Sequence, residues 1–158
     1  MRVAILTISD SVHAGTRSDL SGPAVNERCR ERGWRVVATH VAPDEAPVIQ
    51  ARMIEIGDSG LVDLIFTSGG TGIGPRDVTP EATLGVCTRL IPGLAEVMRE
   101  AGRRSNPNAA LSRAVAGVRG GILVVNLPGS PRGAVESFEA IAGLLPHAVE
   151  VLRGASHD

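Results

Sequence analysis

A chain of 158 residues, 43% of them hydrophobic, can bury most of the surface that its unfolded form would expose, so a single domain over residues 1–158 is the expectation. Sixteen basic and seventeen acidic residues leave a formal net charge of −1, and Trp34, Phe66 and Phe138 are the only aromatic residues, so nucleic acid finds neither a positive field nor a stacking platform. The apolar runs fall well short of the roughly 20 residues of a membrane helix, and the first residues lack the pattern of a secretory signal, which predicts a cytoplasmic protein with no membrane partner.

Val3–Ser9 is a nearly continuous apolar run rich in β-branched types, the pattern of a strand covered on both faces. Ser21-Gly22-Pro23 then supplies a cap and a first-turn proline for a helix that runs to Arg32 and closes at Gly33. Arg35–Val41 reads as a second strand. After Asp44, the apolar positions Val48, Ile49, Met53 and Ile56 recur at helical spacing until Gly57. Leu61–Thr67 is a third strand, running directly into Ser68-Gly69-Gly70-Thr71-Gly72-Ile73-Gly74, and Thr79-Pro80-Glu81 opens a helix that ends near Leu90. Leu94–Ala101 and Ala109–Ala116 read as helices on either side of a polar loop, Arg103 to Asn108. Ile122–Asn126 is a last strand, and helical segments from Ala134 to Leu152 follow. Strands alternating with helices predict an α/β fold in three layers, a mostly parallel open sheet with helices on both faces.

In such sheets ligands bind beyond the carboxyl ends of the strands. The unusual loops of this sequence all fall there: Ser9-Asp10-Ser11, Pro43-Asp44-Glu45, Ser68 to Asp77, and Pro128-Gly129-Ser130-Pro131. The glycine-rich loop can turn bare backbone N–H groups toward phosphate, or it is no more than a tight turn; it has neither the Gly-Lys-Ser/Thr of a P-loop nor the Gly-x-Gly-x-x-Gly order. Asp77 beside it either binds Mg²⁺, which takes one or two carboxylates plus substrate phosphates, or orders the start of the helix. Asp44 has a similar pair of readings, as a helix N-cap or as a partner of Asp77 in holding metal or orienting a nucleophile. Asp10, Ser11 and Ser21 can cap a helix or meet a polar substrate. Ser130, between two prolines, can do either as well. Cys29, Cys87 and the four histidines, His13, His40, His147 and His157, lack metal-ligand spacing. Residue chemistry alone thus reaches an α/β enzyme or binder for a phosphorylated small molecule, with Mg²⁺.

The stretch Thr67-Ser-Gly-Gly-Thr-Gly-Ile-Gly-Pro-Arg-Asp-Val-Thr-Pro-Glu-Ala-Thr83 resembles the signature of the molybdenum cofactor biosynthesis family that includes MogA, MoaB and the G domain of gephyrin. Ile8-Ser-Asp-Ser11, Asp19-Leu-Ser-Gly-Pro23, Val41-Ala-Pro-Asp-Glu45 and Asn126-Leu-Pro-Gly-Ser-Pro131 join it in the family's order. The resemblance implies a molybdopterin-binding fold, homotrimeric or hexameric, that transfers AMP from Mg-ATP to molybdopterin alongside other proteins of the pathway. It implies that Asp44 and Asp77 are catalytic and hold Mg²⁺. It also implies that Asp10, Ser68, Gly69, Gly70, Thr71, Gly72, Glu81, Pro128, Gly129 and Ser130 bind substrate, and leaves Arg76 either neutralising charge or in a surface ion pair. The alternative within the family is a non-catalytic molybdopterin carrier of the MoaB type. A competence-damage-type nucleotide domain shares the glycine-rich loop, but the Asp-Val-Thr-Pro-Glu-Ala-Thr run argues against it.

Overall fold

In the computed structural model, which describes residues 1–155, the first apolar run forms β1 (Arg2–Ile8), and Ser9 caps a single unexpected turn, α1 (Asp10–His13), by accepting the Val12 N–H. Then come α2 (Ser21–Glu31), β2 (Arg35–Ala42), α3 (Ala46–Asp58), β3 (Leu64–Ser68) and α4 (Thr79–Val86). Next are β4 (Arg89–Leu90), α5 (Pro92–Arg103), a 3₁₀ turn (Pro107–Leu111), β5 (Ala116–Arg119), β6 (Ile122–Leu127), α6 (Pro131–Ile141) and α7 (Leu145–Leu152). His157 lies outside the described residues.

The sheet runs β2-β1-β3-β6-β5-β4; the first four strands pair in parallel, β5 runs antiparallel to β6, and β4 pairs antiparallel with β5 and so returns to the direction of the others. Each inner strand divides its side chains by the two-residue period of the pleat. Val3, Ile5, Leu64, Phe66, Leu123 and Val125 pack with α2, α5, α6 and α7 on one face, while Ala4, Leu6, Ile65 and Val124 pack with α3 and α4 on the other. Phe138 on α6 is fully buried between Trp34 and Phe66, both at 5.4 Å between ring centroids. Truncating such a ring to alanine costs about 3–5 kcal/mol.

Three expectations need correction. The segment read as a helix over Ala109–Ala116 is instead a 3₁₀ turn leading into extended chain, because β6 claims its backbone: Val115 N–H donates to Asn126 Oδ1 at 3.2 Å and Asn126 N–H to the Val115 carbonyl at 3.0 Å. The helix expected to reach Leu90 stops at Val86, since Thr88 N–H donates to the Val118 carbonyl and residues 89–90 pair with β5. The strand expected from Leu61 begins at Leu64, with the Asp63 carboxylate bound instead by Arg2.

This topology places a crevice. β2 lies on one side of β1 and β3 on the other, reached by α2 and α3 on opposite faces, so the loops leaving β1 and β3 diverge where the strand order reverses.

Candidate functional site

At that reversal the loop after β3 bends sharply. Gly69 and Gly70 have φ of +109° and +66°, a region that favours glycine, and a Cβ at Gly69 would strike the Ile8 carbonyl. Buried hydrogen bonds hold the bend: Gly69 N–H donates to the Leu127 carbonyl at 3.0 Å, Thr79 Oγ1 to the Gly69 carbonyl at 2.9 Å and Thr79 N–H to the Gly70 carbonyl at 3.1 Å. Ser68 donates its hydroxyl to the Pro128 carbonyl at 3.0 Å, tying this loop to the one after β6. Behind them Asn126, fully buried, donates to Thr67 Oγ1 and Thr83 Oγ1, both at 2.9 Å.

Asp10 and Asp44 clasp one another across the loops after β1 and β2. Asp10 N–H donates to Asp44 Oδ2 and Asp44 N–H to Asp10 Oδ1, each at 2.9 Å. Arg76 takes both oxygens of Asp10, with Nε and Nη2 each at 3.0 Å, and holds that carboxyl below its ordinary range, helped by the Asp44 N–H. Asp44 goes the opposite way: burial raises its pKa, and the charges of Asp10 and Asp77 add to the rise against the Asp10 N–H and Arg76. Asp44 does not cap α3, whose N-cap is Glu45. Its Oδ1 faces Gly70, where an added Cβ would stand 3.1 Å away. Asp77 Oδ2 accepts the Gly74 N–H at 2.8 Å, closing the turn, and α4 has no side-chain cap.

Two cavities flank the glycine-rich loop. A polar one of about 320 Å³ is lined by Thr7, Ser9, Asp19, Asp44, Gly70 and Asp77 among others. A larger one of about 550 Å³ has a more apolar lining, including Thr71, Gly72, Met98, Ala109, Leu111 and Pro128. Ser68, Gly69 and Gly129 face the first cavity, while Ser130 lines both and also caps α6 by accepting the Gly133 N–H at 3.1 Å. The loop is therefore a wall common to both spaces. Ser21, which the sequence left between cap and ligand contact, lines the polar cavity; the N–H at the start of α2 is held instead by Asp19, whose Oδ1 accepts Gly22 N–H at 3.0 Å and whose Oδ2 accepts the Thr7 hydroxyl at 2.7 Å.

Asp10 and Glu81 stand outside both linings. Glu81 pairs with Arg113, which sequence reasoning does not single out because it stands in the alanine-rich stretch 109–116 with nothing local to mark it. Among the described residues no group of three or more His, Cys, Asp and Glu side chains is arranged to hold a metal, so a cation here would need oxygens from its substrate as well.

The family described as "probable molybdopterin binding domain" matches residues 4–147. The molybdopterin adenylyltransferase of Helicobacter pylori strain J99 is 37% identical over 156 residues, covering 98% of this chain and 89% of that protein. The molybdopterin adenylyltransferase of Escherichia coli K12 is 36% identical over 149 residues, covering 89% of this chain and 73% of that protein. The crystal structure of the molybdopterin biosynthesis enzyme MoaB from Thermus thermophilus is similar with a TM-score of 0.92 and 48% identity over 99% of each chain.

Proposed function

The chain belongs to the molybdopterin-binding family of molybdenum cofactor biosynthesis, and from that premise we propose that it is a molybdopterin adenylyltransferase, a nucleotidyltransferase that moves AMP from ATP to the terminal phosphate of molybdopterin and releases pyrophosphate. The observation that carries this reading is the common wall. Two substrates that each join a ring system to phosphate would sit one on either side of it, with their phosphates brought toward the turn of residues 70–72. The larger, more apolar cavity suits the pterin; the polar cavity with Asp44 and Asp77 suits the charged polyphosphate.

Asp44 and Asp77 would hold Mg²⁺. Both offer hard oxygen donors to the same polar cavity, and the like charges of Asp10 and Asp77 that help raise the Asp44 pKa would be offset by a bound cation. Bound there, Mg²⁺ supplies neutralisation of the polyphosphate and of the departing pyrophosphate. Backbone N–H groups of Gly70 and Gly72, with the Thr71 hydroxyl, would steady the phosphate oxygens, whereas the Gly69 N–H, which the sequence also offered, is taken by the Leu127 carbonyl. Ser68 and Thr79 hold the loop so that those groups are in place before substrate arrives, and Asp10 braces Asp44 while Arg76 offsets its charge. Acceleration then comes from alignment of the attacking phosphate with the α-phosphate and from fixed charge, the usual terms in phosphoryl and nucleotidyl transfer.

The same reading extends to a homotrimer or hexamer acting in the cytoplasm beside other proteins of the pathway; among the described residues no helix is long and apolar enough to cross a membrane. Light scattering of the purified chain gives the assembly size. Incubation with molybdopterin, ATP and Mg²⁺ should yield adenylylated pterin and pyrophosphate in equal amounts. Absence of product while molybdopterin still binds would leave a carrier instead of an enzyme.

A further inference from the structure

We infer that Arg113 is a positioning residue for AMP transfer: it lines neither cavity, yet it grips the turn that carries Asp77 and the ligand-facing amides at three points. The inference rests on the adenylyltransferase reading. Arg113 Nε donates to the Gly72 carbonyl at 2.7 Å, Nη2 donates to the Asp77 carbonyl at 2.8 Å, and its own backbone N–H donates to the Thr71 carbonyl at 2.8 Å. Nη1 pairs with Glu81 on the first turn of α4.

Residues 71–77 belong to no strand or helix, so no ladder supplies donors along this turn. One planar guanidinium does so at both of its ends, and only a fork with donors in fixed directions can reach two carbonyls and a carboxylate together. Burial does not account for the arrangement, since the Arg113 and Glu81 side chains are 37% and 52% exposed and an ion pair so open to water adds little by itself. The position does account for it. Ser112 and Ala114 on either side line the larger cavity, while the Asp77 and Gly70 that Arg113 steadies through the turn line the smaller one. Arg113 thus fixes the common wall from behind and sets where the Asp77 carboxylate stands relative to Asp44.

The test compares Arg113→Ala, Arg113→Lys and Glu81→Gln with the wild-type chain. Arg113→Ala should lower kcat about 100-fold, the scale of a misplaced catalytic group, with KM for ATP changed no more than about 3-fold. Arg113→Lys, which keeps the charge and loses the fork, should fall between, and Glu81→Gln should be the mildest. Because Arg113 acts through Asp77, adding Arg113→Ala to Asp77→Asn should lower kcat by less than about 3-fold more. Guanidinium ion should restore part of the Arg113→Ala rate and ammonium should not.

Hydrogen exchange supplies a readout independent of the reaction. In Arg113→Ala the amides of residues 70–78 should exchange faster while those of β1 and β6 keep their protection. Fully additive losses in the double variant, or faster exchange across the whole sheet, would overturn the inference. A wild-type chain that makes no adenylylated pterin would instead remove the enzymatic reading, and the exchange comparison would still decide whether Arg113 holds the turn.

Discussion

Asp63 lies where the strands of the sheet begin and Asp44 lies where they end, and the two carboxylates are treated in opposite ways. Asp63 is 4% exposed, and burial alone would raise its pKa. Side-chain and backbone hydrogen bonds from Arg2, at 2.8 Å and 2.7 Å, and a bond from Arg153 at 2.7 Å outweigh that burial and hold it well below the usual carboxylate range. Asp44 is also partly withdrawn from water, but it receives one N–H and faces Asp10 and Asp77, so its pKa rises. A carboxylate whose partners come from within the chain is finished when the protein folds. One left among like charges at a cavity wall carries a charge that the fold itself does not balance, which marks it as a candidate for chemistry with a ligand.

The largest effect that would break this contrast is catalytic. Asp77→Asn should lower AMP transfer about 1,000-fold, the loss typical of a removed charge-stabilising group, with circular dichroism and unfolding temperature unchanged. Near-wild-type turnover would mean that the rim carboxylates have no chemical task.

Asp63→Asn should show the reverse pattern, a loss of about 2–3 kcal/mol of stability with kcat intact, read by denaturant unfolding. The acid dependence follows from sign. The folded pKa of Asp63 is depressed, so its contribution is fully present above about pH 4, the unfolded value, and is lost as pH falls toward the folded one. The variant should lose that part of the acid limb.

Asp44→Asn sharpens the comparison further. The folded pKa of Asp44 is raised, so its ionisation at neutral pH works against the folded state. The variant should unfold at an equal or slightly higher temperature at pH 7 while losing Mg²⁺ affinity, and its stability advantage should vanish below the ordinary carboxylate range. A clear drop in unfolding temperature at pH 7 would contradict the strain assigned to this residue. The smallest effect is a control. Arg28→Ala breaks a pair with Glu31 whose side chains are 38% and 52% exposed, and should leave the denaturant midpoint unchanged within measurement error.

How much of this was legible beforehand depended on whether the cause was local. β1 and β6 declared themselves as unbroken apolar runs because both faces of each are covered, and α3 through its spaced Ile49, Met53 and Ile56. β5 did not: Ala116-Gly-Val-Arg119 has no periodicity of its own, and alanine-rich sequence before it favours a helix until β6 offers a partner. In the site, the glycine turn and the strand-end aspartates were visible as motifs. Arg113 was not, because what it grips lies 36 and 41 residues back along the chain and no spacing rule reaches so far.

The central pairing of β3 with β6 has a kinetic consequence. Thr67 and Asn126 are register partners 59 residues apart, and everything from α4 through β5 lies between them. Closing so wide a loop sacrifices chain freedom well before the new contacts repay it, which slows the step on the way to the native state. β1 can zip against β2 early, whereas the ledge that carries Gly69 and meets Leu127 assembles late, so a refolding chain should regain its helical signal before it regains any capacity to capture a ligand.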